Sequence, residues 1–318
     1  MLDPESLGWR DELVLSHDVV VAGDRREFYN RVRRGELTFV RRGVYVPTEV
    51  WRQHNADGQY RLRVVGAVAQ ARTQLIPSHM SAAALWRLPW FGPWPRAVHV
   101  LDGHAPGGRS SGLTVRHSAV LRGDPEWIEG IPVTALARTV VDIATTTTFE
   151  QAVVVADAAL RRTTHPVQGV PATSLDRQQL RGELQEVAVR HGSARASRVI
   201  EFADGLADRP GESLSRVNIA RAGLSAAVLQ APLRGASGRL WHCDFWWPLF
   251  NMIGEFDGET KYSDPLFLAG RTPAEALRDE KYREDDLRAA HFGMSRWVWS
   301  TATSMPLLRA HLIAAGVR

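Results

Sequence analysis

The sequence predicts an α/β protein of the mixed, α+β kind. Three observations predict it. The chain has 318 residues, more than one small core organises. Helical periodicity and two-residue alternation trade places along it. Stretches rich in glycine, proline or threonine interrupt it at 163–176 and 202–213. The expected regions are 1–48, small and helical with a closing hairpin; 49–200, α/β with a helical end; and 201–318, a mixed sheet flanked by helices.

Helical patterns run through about 5–16 and 24–35. GELTFVRRGVYVP then alternates Leu37, Phe39, Val40, Val44 and Val46 around Arg41-Arg42-Gly43, a strand–turn–strand signal. Helices followed by a two-stranded ribbon predict a winged helix-turn-helix. Arg25, Arg26, Arg31, Arg33, Arg34, Arg41 and Arg42 crowd this stretch against Glu27 and Glu36. Arginines in such numbers are the usual contacts to DNA phosphates. The plainer reading is a solvated arginine face.

Residues 56–76 and 78–89 read as helices, the second entered through Ser78 or Ser81. AVHVLDG, LTVRHSAV and IPVTAL read as strands, with helices at about 135–144, 149–162, 176–190 and 193–204. Beyond the 202–213 break come a helix at 211–222 and strands near 227–231, 239–247 and 252–257. A helix at about 273–291, a strand at 294–299 and a last helix from Pro306 complete the chain.

The composition narrows the chemistry. A single cysteine, Cys243, excludes an intramolecular disulfide and a cysteine-based zinc site. No apolar run reaches the length of a membrane span. The first residues, MLDPESLGWRDE, are acidic and polar, unlike a signal peptide, so a cytoplasmic location is expected. No P-loop or G-x-G-x-x-G motif is present, which argues against a nucleotide cofactor. Net charge is only +4, so affinity for a polyanion has to come from local patches.

One such local feature is acidic. WHCDFWWPLFNMIGEFDGETKYSD places Asp244, Glu255, Asp257 and Lys261 in a largely apolar stretch. Alternation puts Glu255 and Asp257 on one strand face, and antiparallel pairing across a tight turn brings Asp244 beside Glu255. Such like charges repel unless a cation or proton intervenes. Oxygen-only ligands suit magnesium or manganese. Glu212, near the start of the preceding helix, is a further candidate ligand. Lys261 is one of only two lysines among 39 basic residues, and its ammonium is suited to orienting an attacking water. The alternative is acids capping strand ends in ion pairs with arginines.

PGESLSR, HCDFWWP, GEFDGETKY and EKYREDDLRAAHFGMSRWVW, in that order, resemble the uncharacterised family related to very-short-patch-repair endonucleases, within the PD-(D/E)xK nuclease superfamily. The resemblance covers about 200–318 and implies a restriction-endonuclease-like fold and a metal-dependent DNA endonuclease. It implies Glu212 as the helical acid, Asp244 and Glu255 as metal ligands and Asp257 as an extra acid on the same face, with Lys261 as a substitute for the superfamily's catalytic lysine. The superfamily lysine stands two residues after the second acid, where this chain has Asp257, and relatives often carry His where Lys261 stands. Arg283 and Asp285 are candidates for the same cleft.

GELTFVRRGVYVP, SHMSAAALWRLP and GIPVTALARTVVDIA together resemble the AbiEi-type antitoxins of type IV toxin–antitoxin systems. That resemblance covers about 5–200 and implies DNA as a partner, a cognate toxin or defence protein, and self-repression. If the nuclease-like region is inactive, the whole chain reads as an antitoxin or repressor. His79 beside Ser78 lacks a nucleophile elbow, and His99, His104 and His117 lack metal-ligand spacing. Trp246, Trp247, Trp297 and Trp299 read as core or sheet-face residues.

Overall fold

The computed structural model describes residues 8–21, 24–103, 112–119, 121, 123–187, 191–258 and 272–318. The chain is α/β, and it separates between Ala203 and Asp204 into two units.

The first unit opens with α1 (Gly8–Asp11), β1 (Val14–Leu15), α2 (Ser16–Val21) and α3 (Arg25–Arg33), followed by β2 (Leu37–Arg41) and β3 (Val44–Pro47). The sequence pattern reads a single helix over about 5–16, but the structure interrupts it. Val14 pairs with Tyr45 and Leu15 with Val44, so the hairpin gains a third strand in the order β1-β3-β2. Gly43, at φ +75°, makes the tight turn between β2 and β3. Val40, Val44 and Val46 share a cluster with Leu62 from the next long helix, so this core runs across residue 48.

That helix is α5 (Ala56–Ala69), which follows the short α4 (Thr48–Gln53). Asn55 caps α5 by accepting the Gly58 amide. Then come β4 (Ile76–Pro77), α6 (His79–Leu85), β5 (Val98–Leu101), β6 (Thr114–His117), β7 (Glu126–Ile128) and β8 (Ile131–Val133). A mixed sheet runs β4-β5-β6, with β5 and β6 parallel, and β7 pairs with β8. Four helices close the unit: α7 (Leu136–Thr146), α8 (Phe149–Arg161), α9 (Arg177–Val187) and α10 (Ser193–Phe202). A capping box between Thr148 and Gln151 starts α8. Buried Ala82, Ala83 and Ala84 on α6 present only small side chains to their neighbours.

The second unit runs α11 (Pro210–Arg221), β9 (Val228–Arg234), β10 (Leu240–Trp247), a 3-10 turn at Pro248–Phe250, β11 (Met252–Asp257), α12 (Pro273–Ala289), β12 (Gly293–Val298), α13 (Trp299–Ala302) and α14 (Met305–Ala314). Its sheet has the order β12-β11-β10-β9, antiparallel except where β11 lies parallel to β12. Two cores flank it. Ile219 of α11 and Leu308 and Leu312 of α14 pack with Phe245, Trp247, Phe256 and Trp297. Leu287 of α12 packs with Cys243, Ile253 and Trp246.

A glycine brings α11 down onto the sheet. A Cβ on Gly211 would lie 2.0 Å from the Phe256 ring, with three ring carbons inside 2.5 Å. Helix and ring therefore meet backbone to side chain, with Glu212 next in line. Gly211→Ala is expected to destabilise this unit by about 1–3 kcal/mol through overpacking, although alanine is the better helix former. Chemical denaturation compared with a Gly182→Ala control, which meets nothing within 4 Å, checks it.

Candidate functional site

Asp244 stands where β9 and β10 exchange faces. Cys243 and Leu233 pack toward α12, whereas Phe245 and Leu229 pack toward α11 and α14. The strand pairing records the change: Cys243 faces Ala231 and Phe245 faces Leu229, and between them Asp244 and Gln230 drop out of the ladder. Across the tight turn, Phe245 faces Gly254, and one step further puts Asp244 opposite Glu255. Asp244 is fixed there by accepting the Phe256 amide on Oδ2 at 2.9 Å.

From this crossing Asp244 meets one acid on each side. On the α11 side is Glu212, 2% exposed, whose Oε2 accepts the Asp208 amide at 2.8 Å. Burial pushes its carboxyl well above the usual range and the charge on Asp244 pushes it further, against the Asp208 amide. On the α12 side is Glu255, also 2% exposed. Burial first and Asp244 second raise its pKa to about 8, even though Arg283 of α12 lies 2.7 Å from its Oε1. The same surroundings push the buried Cys243 thiol up to about 12, so it is unreactive.

The acids expected at the site are thus neighbours, but in a particular pattern. Asp244 is paired with Glu212 and with Glu255, and the three do not close on one point. Among the described residues no group of three or more His, Cys, Asp or Glu side chains is arranged to hold a metal ion. Asp257, half-exposed, lies 3.5 Å from Arg296, which also holds Glu280 at 2.6 Å. Lys261 lies outside the described residues. Arg283 pairs with Glu255 at 2.7 Å, and it also donates to the His242 carbonyl at 3.2 Å. Asp285 is exposed, whereas its neighbour Asp286 is buried against Ser237 and the Trp241 indole. Sequence reasoning missed Gln230. Its amide nitrogen reaches Glu212 Oε2 at 3.4 Å and Asp244 Oδ1 at 3.5 Å.

Carboxylate oxygens are the donors that magnesium and manganese take. Magnesium in particular is held by one or two carboxylates, with water and substrate phosphate completing its shell. The observation that favours the fit is the mutual repulsion of Glu212 and Asp244, already bridged by a hydrogen-bond donor. Beside Arg283 opens a cleft of about 400 Å³ whose walls include Arg239, Trp241 and Tyr282. The Arg239 guanidinium stacks 4.1 Å above the Trp241 ring.

In the first unit the arginines divide. Arg34 is paired with Glu27 at 2.7 Å and Glu36 at 2.5 Å, and Arg31 lies 3.5 Å from Glu36. Arg41 is half-buried and donates to Thr114 at 3.3 Å, so burial lowers its pKa. Arg25, Arg26, Arg33 and Arg42 are exposed, beside exposed Tyr29 and Phe39.

The histidines of this unit also meet. His99 Nδ1 lies 2.9 Å from His117 Nε2, and the His79 ring stacks on His117 at 3.6 Å. Asp142 lies 3.7 Å from His79 and accepts from Arg138 at 2.8 Å. Stacked rings aim their nitrogens along parallel planes, which suits packing rather than shared ligation. His104 lies outside the described residues.

No helix among the described residues is long and apolar enough to cross a membrane. No family model matches the chain. It is similar to two proteins of Mycobacterium tuberculosis strains, uncharacterized protein MT2308 and uncharacterized protein Rv2248. Each is 30% identical over 187 residues, which is 58% of this chain. The match spans 60% of the length of those relatives.

Proposed function

We propose that the chain is a DNA-binding protein whose second unit is a metal-dependent endonuclease-like domain. The observation that carries this reading is Asp244 at a strand crossing, buried Glu212 on one side and buried Glu255 on the other. The resemblance to the PD-(D/E)xK superfamily and its order of elements supports it. Magnesium or manganese bound there would activate water and stabilise charge on a phosphate. Glu212 and Asp244 would hold the ion, with Glu255 completing the set if it leaves Arg283. Arg239, Trp241 and Tyr282, in the cleft beside the Glu255 partner Arg283, are side chains of the type that track a nucleic-acid strand, although Asp279 and Glu280 line the same cleft.

The test is incubation of supercoiled and linear DNA with the protein and magnesium or manganese, beside Asp244→Ala and Glu255→Ala. Cleavage lost in both variants supports the reading. Cleavage unchanged in both sinks it.

A second reading has its own observation. Arg283 occupies Glu255 and the three acids do not meet at a point. That arrangement favours an inactive nuclease-like domain in an AbiEi-like antitoxin or repressor, which would bind DNA near its own promoter and a cognate toxin or defence protein without cutting.

Both readings place DNA on the winged helix-turn-helix expected over 1–48. Arg25, Arg26, Arg33 and Arg42 are exposed cations there, so replacing Arg25, Arg26 and Arg42 with Ala is expected to weaken binding at every sequence. The slope of log K against log salt should flatten by about 0.9 per lost phosphate contact. Arg41→Ala, tucked against Thr114, should leave that slope unchanged. Fluorescence anisotropy across a salt series measures both.

A further inference from the structure

We propose that Gln230 is a positioning residue for the Glu212–Asp244 pair, its side-chain amide spanning the two carboxylates so that both face the space a divalent cation takes. The inference rests on reading that pair as a metal site.

Gln230 lies inside β9, where Val228–Arg234 otherwise runs as a strand, yet its φ is +46°. A side chain larger than that of glycine rarely adopts the left-handed region, least of all within a strand. Both neighbours keep their pairing, Leu229 with Phe245 and Ala231 with Cys243, so the departure is confined to one residue. In extended geometry Gln230 would take the ladder place opposite Asp244 and share the alternation of its neighbours. The left-handed turn at this residue coincides with the exchange of faces between Leu229 and Leu233.

The side chain then uses that turn. One NH₂ group carries two hydrogens, and two carboxylates lie within reach, Glu212 Oε2 at 3.4 Å and Asp244 Oδ1 at 3.5 Å. Both contacts are long, so the amide spans the pair without locking it. The backbone of the same residue is held separately: the Gln230 carbonyl accepts from His242 Nδ1 at 3.3 Å. A strained backbone that aims a neutral donor between a buried acid and a half-buried one is a feature of functional sites. Groups that orient metal-binding carboxylates set the affinity of the ion without touching it.

The experiment uses the full chain and manganese alone, titrated under electron paramagnetic resonance. Two substitutions remove the amide differently. Gln230→Met keeps the length and loses the donors, and Gln230→Gly also relieves the left-handed φ. Both are expected to raise the manganese dissociation constant by about 10-fold or more, with Gln230→Met melting with the parent and Gln230→Gly no lower. Affinity lost in a variant that melts with the parent separates positioning from unfolding. Both variants binding manganese as tightly as the parent would overturn the role of Gln230 and leave the metal site standing. A parent with no saturable manganese sensitive to Asp244→Asn would overturn the metal reading itself, and the role of Gln230 with it.

Discussion

Asp244→Asn is expected to abolish most metal-dependent DNA cleavage and, at the same time, to stabilise the second unit. The two effects share one cause. Asp244 pushes up the pKa of both Glu212 and Glu255, second in each case only to burial. Asparagine removes the repulsion but keeps an oxygen for the Phe256 amide that Asp244 Oδ2 now accepts at 2.9 Å. A pKa unit of repulsion is about 1.4 kcal/mol. Asp244 is half-buried, so solvent trims the gain to on the order of 1 kcal/mol. On the proposed site, where Asp244 is a direct ligand, its loss should cost activity at least as much as the roughly 10–100-fold that loss of an outer partner costs. Stability bought at the expense of activity is the usual mark of a functional site. Thermal melting without metal and a nicking assay with manganese read the two effects; a variant that melts lower and cuts normally contradicts both.

The second large effect is a pH dependence of opposite sign in the two units. In the folded second unit burial and Asp244 raise Glu255 to about 8, against the ordinary 4.5. Between those values the folded state keeps a proton that the unfolded state releases. Its contribution is fully present below 4.5 and is lost as pH rises through 8. Glu212 is raised in the same direction. The metal-free second unit should therefore weaken from pH 5 toward pH 8.5 by a few kcal/mol in order of magnitude.

The first unit behaves the other way. Burial, then the charge of His117, lowers His99 from 6.5 to about 4. Burial likewise lowers His79 and His117. These groups contribute stability above 6.5, and it is lost as pH falls through about 4. Asp142, raised by burial from 3.8 to about 6, opposes them within that range, one acid against three histidines. Hydrogen exchange on the full chain separates the units. Peptides from β10 and β11 should lose protection on going to alkaline pH, and peptides from α6, β5 and β6 on going to acid. The same trend in both sets would contradict the assignment.

Much of the second unit was legible in the sequence because its signals are local. A Pro-Gly pair opens α11, a short turn joins β10 to β11, and alternation orders the acids on them. Asp244 opposite Glu255 follows from that turn alone. Gln230 was not legible, because a left-handed residue inside a run of strand formers leaves no local mark. Arg283 was flagged as a neighbour of the site, but its pairing with Glu255 depends on how α12 docks. In the first unit Arg41 looked like its exposed neighbours, yet its partner Thr114 is 73 residues away. The strand at Val14 and Leu15 needed β3 beside it, and the histidine cluster needed α6, β5 and β6 together.

The central claim is that Glu212 and Asp244 form a divalent-cation site. A crystal of the full chain soaked in manganese near pH 8, measured at the manganese absorption edge, tests it most directly. The account predicts an anomalous peak between the Glu212 and Asp244 carboxylates, absent from Asp244→Asn crystals soaked alike. A parent crystal without that peak would contradict it.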